Sequence, residues 1–531
     1  MYGSESHTKG MEDMTVTEKM ARSLVHGYLH ADGTRIVNGD GEEILLCGMG
    51  IGNWLVPEGY MWHFWGDKCN SPTKIDRLIR NLCGSVYARY FWQSFRTNYI
   101  TEADVRAMAD AGFNSVRLPV HWRLFLEDEP GVRFRPEGFR IVDRFLDWCE
   151  KWGLYVILDL HCAPGGQTGA NIDDSEDDIP RLFTDSMTEK SDAWHKTVAL
   201  WGEFARRYRD RIIVGMYDLL NEPIKMGDRL DLADRLRELY RDCIAEIRKH
   251  DNNHMISIEG HQWAANPYVF CEPYDDNVCY HFHRYWCPPR KKLLDPFLDV
   301  REKMNKPLFL GETGENTNEW YAAMYPLCAE HDIGYNIWCF KKMQTENSPY
   351  SIRMPADWQK ITDYIAGGEK PSYETAARIF DEFLENCKIE NCTYHPAVIP
   401  SITRRPGCVF RACDFVKAEH VRLTDADGAD TSACSDSEQW EKTRTVFTQG
   451  ASAEYRLYAA GEKGTIALSA DFDGVTVEIE EAGEVCLRTT VSGEWTLSVP
   501  LAGRGDRSLR ITCCRGVFTL DTIAYRPQKT E

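Results

Sequence analysis

The sequence predicts an α/β protein in two parts, a (β/α)8 TIM barrel followed by a C-terminal all-β sandwich that is jelly-roll-like. Up to about residue 385, eight apolar runs alternate with amphipathic helical patterns, which is the element order of such a barrel. After about residue 405, short segments of alternating polarity recur between Gly and Asp turns, which is typical of a sandwich. The chain has 531 residues, which exceeds the usual size of a domain built around a single compact core.

The eight predicted barrel strands are near-continuous apolar runs, as a parallel sheet covered on both faces requires. In chain order they read EILLCGMG, FNSVRLPV, LYVILDLH, IVGMYDLLNE, HMISIEG, NVCYHF, PLFLGE and GYNIWCF. Helical patterns fill the intervals, and the clearest cover residues 137–152, 192–210 and 230–249.

Changes in composition divide the chain into four segments. Residues 1–24 are polar and are predicted to be a disordered tail. The barrel is predicted over residues 25–390, a Pro-containing linker over 391–407, and the sandwich over 408–531.

The net charge and the amino-acid composition restrict the expected binding partners and the expected cellular compartment. A formal net charge of −20 argues against nucleic acid or an anionic membrane surface as a partner. No stretch reaches the roughly 18 apolar residues of a transmembrane helix, and the N-terminal residues contain no apolar signal-peptide core. The 19 cysteines are scattered without a repeated Cys-x-x-Cys spacing, so we expect reduced thiols and a cytoplasmic protein. Nothing in the sequence indicates an oligomeric state.

Polar side chains follow seven of the predicted strands at their C-terminal ends, the edge that forms the catalytic mouth of a (β/α)8 barrel. They are Arg117, His161, Asn221, Glu222, Glu259, His283, Tyr285, Glu312 and Trp338. Any one of them, such as His283, has an ordinary interpretation as a structural residue. Their joint occurrence favours a site, and two glutamates that converge across the mouth are the groups of a glycosidase. The sequence does not give the distance between the two carboxyls. It therefore leaves open whether the anomeric configuration is retained or inverted.

The ordered motifs FNSVRLPV, LDLH, LLNEP, HFHRY, FLGE and NIW resemble the barrel of glycoside hydrolase family 5 over roughly residues 40–385. The resemblance implies a retaining double displacement in which Glu222 is the acid/base and Glu312 the nucleophile. On this hypothesis Arg117 keeps Glu312 ionised, and Asn221 donates a hydrogen bond to the sugar 2-hydroxyl.

The remaining predicted substrate-binding residues orient the carboxylates or contact the sugar. His283 and Tyr285 would orient the two carboxylates, and Trp338 would offer a flat face to the sugar ring. His161 is placed near the catalytic pair by the resemblance of its loop to the exo-β-glucanase branch of the family.

A second stretch, GIGNWLVPEGYM, also resembles that exo-acting branch, in which a Gly-Gly-Trp motif leads to a Glu that closes the substrate pocket. Glu58 takes the matching position, although Asn53 replaces the second glycine. Two nearby segments have open interpretations. The loop NIDDSEDD is either solvated or supplies Asp173 or Asp174 to sugar hydroxyls. The insertion over residues 61–99 either caps the barrel or walls the aglycone side with Trp62, Phe64, Trp65 and Trp92.

The C-terminal region resembles family 6 carbohydrate-binding modules through KAEHV, SGEWTLSVPL and FTLDTIAY. The resemblance implies a structural calcium at Glu419 and Asp521, and it leaves Trp440 and Trp495 as either sugar platforms or core. No metal is predicted in the barrel, where Cys279, His281 and His283 lack a usual zinc spacing. No organic cofactor is implied either, since the sequence has no dinucleotide or phosphate-loop motif.

Together these observations predict a retaining exo-β-glycosidase that acts on β-glucosides or small β-glucan oligosaccharides. Three alternatives stay open. The enzyme releases another unit, such as arabinofuranose, galactofuranose or a disaccharide like rutinose, or it transfers the sugar to an acceptor other than water. In the third, the barrel only binds carbohydrate, since fold alone never proves activity.

Overall fold

The computed structural model describes residues 14–175, 179–183, 188–225, 230–433, 436–459, 464–481, 484–501 and 505–528. The first part of the predicted disordered tail, residues 1–13, lies outside these residues. A hairpin of β1 (His30–Asp32) and β2 (Arg35–Val37) precedes the barrel. Ile36 of this hairpin packs beneath the barrel in an apolar cluster with Met216 and Phe309.

The predicted (β/α)8 barrel is confirmed, and each predicted strand run overlaps one of its strands. The strands are β3 (Cys47–Gly50), β4 (Ser115–His121), β5 (Tyr155–Cys162), β6 (Val214–Asp218), β7 (Met255–Glu259), β8 (Val278–Arg284), β9 (Leu308–Gly314) and β10 (Gly334–Trp338). They pair in parallel in chain order, and β10 closes the barrel by pairing with β3. Nearly every strand residue is buried, because the helices cover the outside and side chains fill the inside.

Helices surround the barrel on its outer face. They are α1 (Val16–Lys19), α2 (Pro72–Asn98), α3 (Glu102–Asp110), α4 (Pro136–Trp152), α5 (Asp192–Tyr208), α6 (Leu230–Ile247), α7 (Asp295–Met304), α8 (Asn318–Ala329), α9 (Trp358–Ala366) and α10 (Tyr373–Asn386). Their limits follow capping chemistry: α4 starts with Pro136 in its first turn and ends at Gly153, whose φ of 68° suits glycine. None of the described helices combines the length and apolarity needed to cross a bilayer.

The insertion over residues 61–99 caps the side of the barrel. Its helix α2 packs against α10, and Trp62 is fully buried against Phe91, Phe95 and Phe383. Phe64 is buried as well, stacked on Trp358, whereas Trp65 is 68% exposed. The aglycone-wall interpretation of these aromatic residues is therefore wrong, since none of them lines the cavity described below.

Two segments are more ordered than the sequence predicts. Residues 14–24, predicted as disordered tail, contain α1, capped by Thr15 and held by Asp506, which accepts the amides of Val16 and Thr17. The predicted linker contains β13 (Thr393–Tyr394) and α11 (Val398–Thr403), and α11 packs on α8. Composition did not predict the order of these two segments, because contacts with distant parts of the chain produce it.

Two short strands extend the barrel's C-terminal edge, and β13 pairs with the second of them. These are β11 (Lys341–Met343) and β12 (Tyr350–Ile352).

The predicted all-β sandwich follows and consists of two sheets over one apolar core. Its elements are β14 (Cys408–Arg411), β15 (Lys417–Glu419), β16 (Arg422–Thr424), α12 (Ser437–Glu441), β17 (Arg444–Thr448), β18 (Ser452–Ala459), β19 (Gly464–Glu481), β20 (Glu484–Leu501), β21 (Gly505–Arg515), β22 (Val517–Leu520) and β23 (Thr522–Pro527). Strands β16, β17 and β22 form the smaller sheet, and the others form the larger one. Ala322 of α8 belongs to the sandwich core, so the two parts share an apolar contact.

Candidate active site

A cavity of about 610 Å³ opens at the C-terminal ends of the barrel strands. Eight of the ten barrel residues predicted for the site line it, and these are Glu58, His161, Asn221, Glu222, His283, Tyr285, Glu312 and Trp338. The other two, Arg117 and Glu259, are fully buried, and Arg117 donates to Glu312, Asn221 and Glu259. The structure therefore brings all ten together, because parallel strands of a closed barrel end at one rim.

Glu222 and Glu312 face each other across this cavity, with carboxylate oxygens within 4.8 Å of one another. Glu222 follows β6, where its φ of 43° marks a sharp left-handed turn. One of its oxygens lies 2.8 Å from His283 Nδ1. Glu312 lies in β9 and accepts hydrogen bonds from Arg117 Nη1 at 2.7 Å and from the Tyr285 hydroxyl at 2.8 Å. Oxygens this close suit the short carboxyl separation of retaining glycosidases, about 5–5.5 Å.

The two carboxyls lie in opposite electrostatic surroundings. Burial raises the pKa of Glu222 well above its ordinary value, and the charges of Glu312 and Glu259 raise it further. Glu312 is instead paired with the buried guanidinium of Arg117. In a glycosidase, opposite surroundings of this kind favour a protonated acid at one carboxyl and an ionised carboxylate at the other.

Burial favours the neutral form of two imidazoles of the site, His161 and His283. Burial lowers the pKa of His161 to about 3 and the pKa of His283 well below its ordinary value. His161 Nδ1 lies 2.7 Å from Asp159, and its ring is parallel to Trp338 with centroids 5.4 Å apart. A neutral His283 can present one nitrogen to Glu222, and His281 lies 3.0 Å from the other.

Arg117 holds the floor of the site together. Its Nε donates to Asp218, and Nη2 reaches Asn221 and Glu259 at 2.9 and 2.8 Å. Asp159 lies 3.1 Å away, so four buried carboxylates surround one guanidinium. Burial opposes the ionisation of Asp218, yet His281 and Arg117 outweigh it and hold its pKa below the ordinary value.

Replacing Arg117 with Met is expected to destabilise the barrel by about 3–5 kcal/mol, because it leaves buried carboxylates without their cation. Thermal and urea unfolding followed by tryptophan fluorescence measure this loss. The matched control is Arg140→Met, whose exposed pair with Glu137 contributes about 1 kcal/mol at most. Equal losses in the two variants would show that Arg117 is not the centre of the network.

The side of the cavity formed by β3, β9 and β10 carries polar and charged side chains. Burial raises the pKa of Glu58 well above its ordinary value, and the charges of Glu312 and Glu315 add to this. Lys342 pairs with Glu315, and the Trp338 indole donates to the Tyr60 hydroxyl at 2.8 Å. These groups offer hydrogen bonds to a polar ligand.

The stretch around Asn53 explains how this side is built. Gly50 and Gly52 lie against Trp338, where an added Cβ would come within 2.8 and 2.6 Å of ring atoms. Asn53 has a φ of 71°, a left-handed conformation that Asn tolerates. Its side-chain oxygen accepts from the Trp62 indole and from the Glu58 amide, which fixes Glu58 at the cavity.

Asp173 and Asp174 are structural, so both interpretations of their loop were wrong for the described residues. Asp173 is buried and accepts the backbone amides of Thr168, Gly169 and Ser175. Asp174 is buried as well, between His121, Arg123 and Thr73. Residues 176–178 of that loop lie outside the described residues.

The structure does not bring Glu419 and Asp521 together. Glu419 lies on β15 at one edge of the larger sheet, and Asp521 precedes β23 near the other edge. Asp521 pairs with Arg411, and Glu419 lies 3.4 Å from Lys417. Trp440 is fully buried and belongs to the core, whereas the Trp495 side chain lies outside what the structure describes.

Among the described residues, the groups close enough to share a metal ion all belong to the barrel site. One of them contains His281, His283 and Glu259, and Cys279 is not part of any. These side chains already bond to one another, to Glu222 or to Arg117, so they have a structural reason to be close.

Sequence reasoning missed two kinds of site residue. Asp159 and Asp218 interrupt apolar strands, which is visible in the sequence. Asp159 and His161 are two residues apart, so their side chains lie on the same face of the strand. Trp263 and Trp286 line the cavity from loops after β7 and β8, where no periodicity points to them.

Comparison with known proteins agrees with this geometry. A family model described as cellulase (glycosyl hydrolase family 5) matches residues 81–344. A β-xylosidase of Phanerodontia chrysosporium is 33% identical over 298 residues, which are 56% of this chain and 59% of the relative. A glucan 1,3-β-glucosidase of Candida oleophila is 31% identical over 39% of this chain and 48% of its own length. Endoglucanase C of Acetivibrio thermocellus is 25% identical over 49% of this chain and 90% of its own. The chain thus matches only about half of the length of the first and second of these relatives.

Proposed function

The barrel of this chain belongs to glycoside hydrolase family 5, and we propose that the protein is a retaining exo-β-glycosidase. It removes the terminal sugar from small β-glucosides or β-glucan oligosaccharides. The observation that carries the proposal is the pair of carboxyls, Glu222 and Glu312, whose oxygens lie within 4.8 Å in opposite surroundings.

In the first chemical step, the Glu312 carboxylate attacks the anomeric carbon while Glu222 donates its proton to the departing glycosidic oxygen. Arg117 and Tyr285 donate to different oxygens of Glu312, so they fix the orientation of the carboxylate and compensate its charge. The raised pKa of Glu222 keeps its proton available at a pH at which an ordinary glutamic acid has lost it.

In the second step, ionised Glu222 takes a proton from water, which attacks the anomeric carbon and frees Glu312. The loss of negative charge on Glu312 in the covalent intermediate lowers the pKa of Glu222, since repulsion between the two carboxylates is a cause of its elevation. The same residue therefore changes from acid to base without moving. An acceptor alcohol in the place of water would give transfer instead of hydrolysis.

Removal of a terminal unit is supported by the polar side chains that line the cavity beside Glu312. Glu58 is 3% exposed and lines the cavity together with Tyr60 and Glu315, which suits the hydroxyls of one last sugar. Two relatives have names of exo-acting enzymes, a β-xylosidase and a glucan 1,3-β-glucosidase. Terminal xylose is therefore the second candidate beside glucose, ahead of arabinofuranose, galactofuranose and rutinose.

The sandwich is proposed as an accessory domain that packs on the barrel through α8 and β14. Buried, unpaired thiols among the described cysteines fit a reducing compartment, which supports the cytoplasm as the site of action.

The test is an aryl-glycoside panel of β-glucoside, β-xyloside, α-L-arabinofuranoside, β-galactofuranoside and β-rutinoside. We expect turnover of the β-glucoside or the β-xyloside by the wild type alone, with Glu312→Gln inactive. Proton NMR of the first product should show the β-anomer, which is the sign of retention. Release of the α-anomer from a β-glycoside would contradict the double displacement.

A further inference from the structure

The rim of the cavity is chemically divided. Seven apolar residues line one half, and they come from the loops after β5, β7 and β8: Ala170, Ile172, Trp263, Ala265, Trp286, Cys287 and Leu293. Two polar residues, Asn171 and Arg284, lie among them. The half formed by β9, β10 and β3 carries Glu315, Trp338, Glu58 and Tyr60. Since β6 lies between β5 and β7, Glu222 stands within the apolar half and Glu312 at the edge of the charged half.

This division assigns the leaving group to the apolar side. The acid must reach the glycosidic oxygen, so the aglycone leaves past Glu222, on the side away from Glu58. The Trp263 amide donates to the Ile224 carbonyl at 3.2 Å, which ties the Trp263 loop to the chain just after Glu222. An aglycone that leaves past Glu222 therefore enters the part of the cavity that Trp263 and Trp286 line.

Both indoles are presented to solvent at the mouth. Trp286 is 68% exposed and Trp263 is 39% exposed, although large aromatic side chains usually bury most of their surface. Both residues also have a left-handed backbone, with φ values of 49° and 56°, which costs a bulky residue free energy. Two exposed indoles that line one cavity and have a strained backbone indicate a binding surface.

The Trp263 loop is fixed in this strained form by its own bonds. Residues 262–264 all have left-handed φ values, and the Ala264 carbonyl accepts the His283 amide at 3.1 Å. Arg284 donates to the Ala265 carbonyl at 3.0 Å, so its guanidinium is already engaged beneath the rim. Of the lining residues from these loops, two are polar, Asn171 and Arg284, so this half offers few hydrogen-bond partners to a second sugar.

We propose that the leaving group of the natural substrate is a hydrophobic aglycone, alkyl or aryl, that packs against Trp263 and Trp286, and not a second sugar. The inference rests on the proposed exo-glycosidase function and names its substrate class. Each methylene that such a surface buries fully is worth about 0.8 kcal/mol, or about a fourfold change in kcat/KM.

The experiment compares glycosides that share one sugar and differ in the aglycone. For the sugar identified by the aryl panel, kcat/KM is measured for the methyl, butyl and octyl β-glycosides and for the matching β-linked disaccharides. The alkyl series keeps the leaving-group chemistry constant. We expect the octyl glycoside to exceed the butyl glycoside at least tenfold and to exceed the disaccharides. A 2-naphthyl against a phenyl glycoside tests the aryl arm in the same way.

Trp286→Ala and Trp263→Ala are each expected to lower the octyl-to-methyl ratio at least fivefold. The matched control is Trp65→Ala, which removes an indole that is also 68% exposed but lies outside this cavity. The control should keep the wild-type ratio. A ratio that does not rise with chain length, faster disaccharide hydrolysis, or equal behaviour of Trp286→Ala and Trp65→Ala would overturn the proposal.

A binding arm separates this inference from the proposed function. Octyl and methyl β-thioglycosides carry a sulfur that resists cleavage, and their affinities are measured by titration calorimetry. Tighter octyl binding that Trp286→Ala abolishes supports the aglycone surface even if no glycoside is hydrolysed. Turnover of methyl glycosides with equal thioglycoside affinities would contradict the aglycone surface and leave the glycosidase proposal intact.

Discussion

Replacing Glu312 with Gln is expected to lower kcat/KM by about 10⁴- to 10⁶-fold on every glycoside that the wild type cleaves. The amide keeps the size of the side chain and one of the two oxygens that accept from Arg117 and Tyr285, but it has no charge with which to attack the anomeric carbon. The loss should therefore appear in kcat for poor and good leaving groups alike. Steady-state rates with alkyl and aryl glycosides measure it.

Covalent trapping identifies the same residue directly. A 2-deoxy-2-fluoro glycoside with a dinitrophenyl leaving group should label the wild type, and mass spectrometry should place the adduct on Glu312. The control is Glu58→Gln, since Glu58 is the other buried carboxyl that lines the cavity near Glu312. Losing its hydrogen bonds to sugar should cost about 10- to 100-fold and leave labelling possible. An adduct on Glu58 would mean that the roles of the two carboxyls are exchanged.

The strand ends are the part of the site that the sequence predicts well. Glu222 and Glu312 end or follow apolar runs, and a closed parallel barrel has one rim for all such ends. Arg117 was predictable for the same reason, as a charged residue inside a run of buried residues that needs a partner. The pattern does not predict the distance between the carboxylate oxygens of Glu222 and Glu312. That distance, within 4.8 Å, depends on how the barrel closes and how its loops pack.

Residues whose roles come from contacts distant in sequence were not predictable in this way. A carboxylate such as Asp174 in a charge-rich loop looks solvated, and only its approach to Thr73 and His121 buries it. Trp62 and Trp286 look alike in the sequence, yet one is fully buried and the other lies at the mouth. Periodicity describes strands and helices, so it carries no information about aromatic residues in irregular loops.

Replacing Glu222 with Ala is expected to lower kcat/KM for alkyl glycosides by about 10²- to 10⁴-fold, since these leaving groups need a proton. The same variant should form the covalent intermediate readily from a dinitrophenyl glycoside, which departs without one. Its breakdown would then be slow, because no base activates water. Added azide, which needs no base, should speed turnover and give the β-glycosyl azide. Glu312→Gln, lacking the nucleophile, should show no such rescue.

The pH dependence follows from the same residue. Glu222 must be protonated in the first step, and burial with two neighbouring carboxylates raises its pKa. The alkaline limb of kcat/KM should therefore lie above the range of an ordinary glutamic acid, with activity lost as the pH rises through it. In Glu222→Ala, the limb should disappear from the residual activity on the dinitrophenyl glycoside. If the limb persisted unchanged there, another group would be the acid, and the opposed surroundings of Glu222 and Glu312 would need a structural explanation instead.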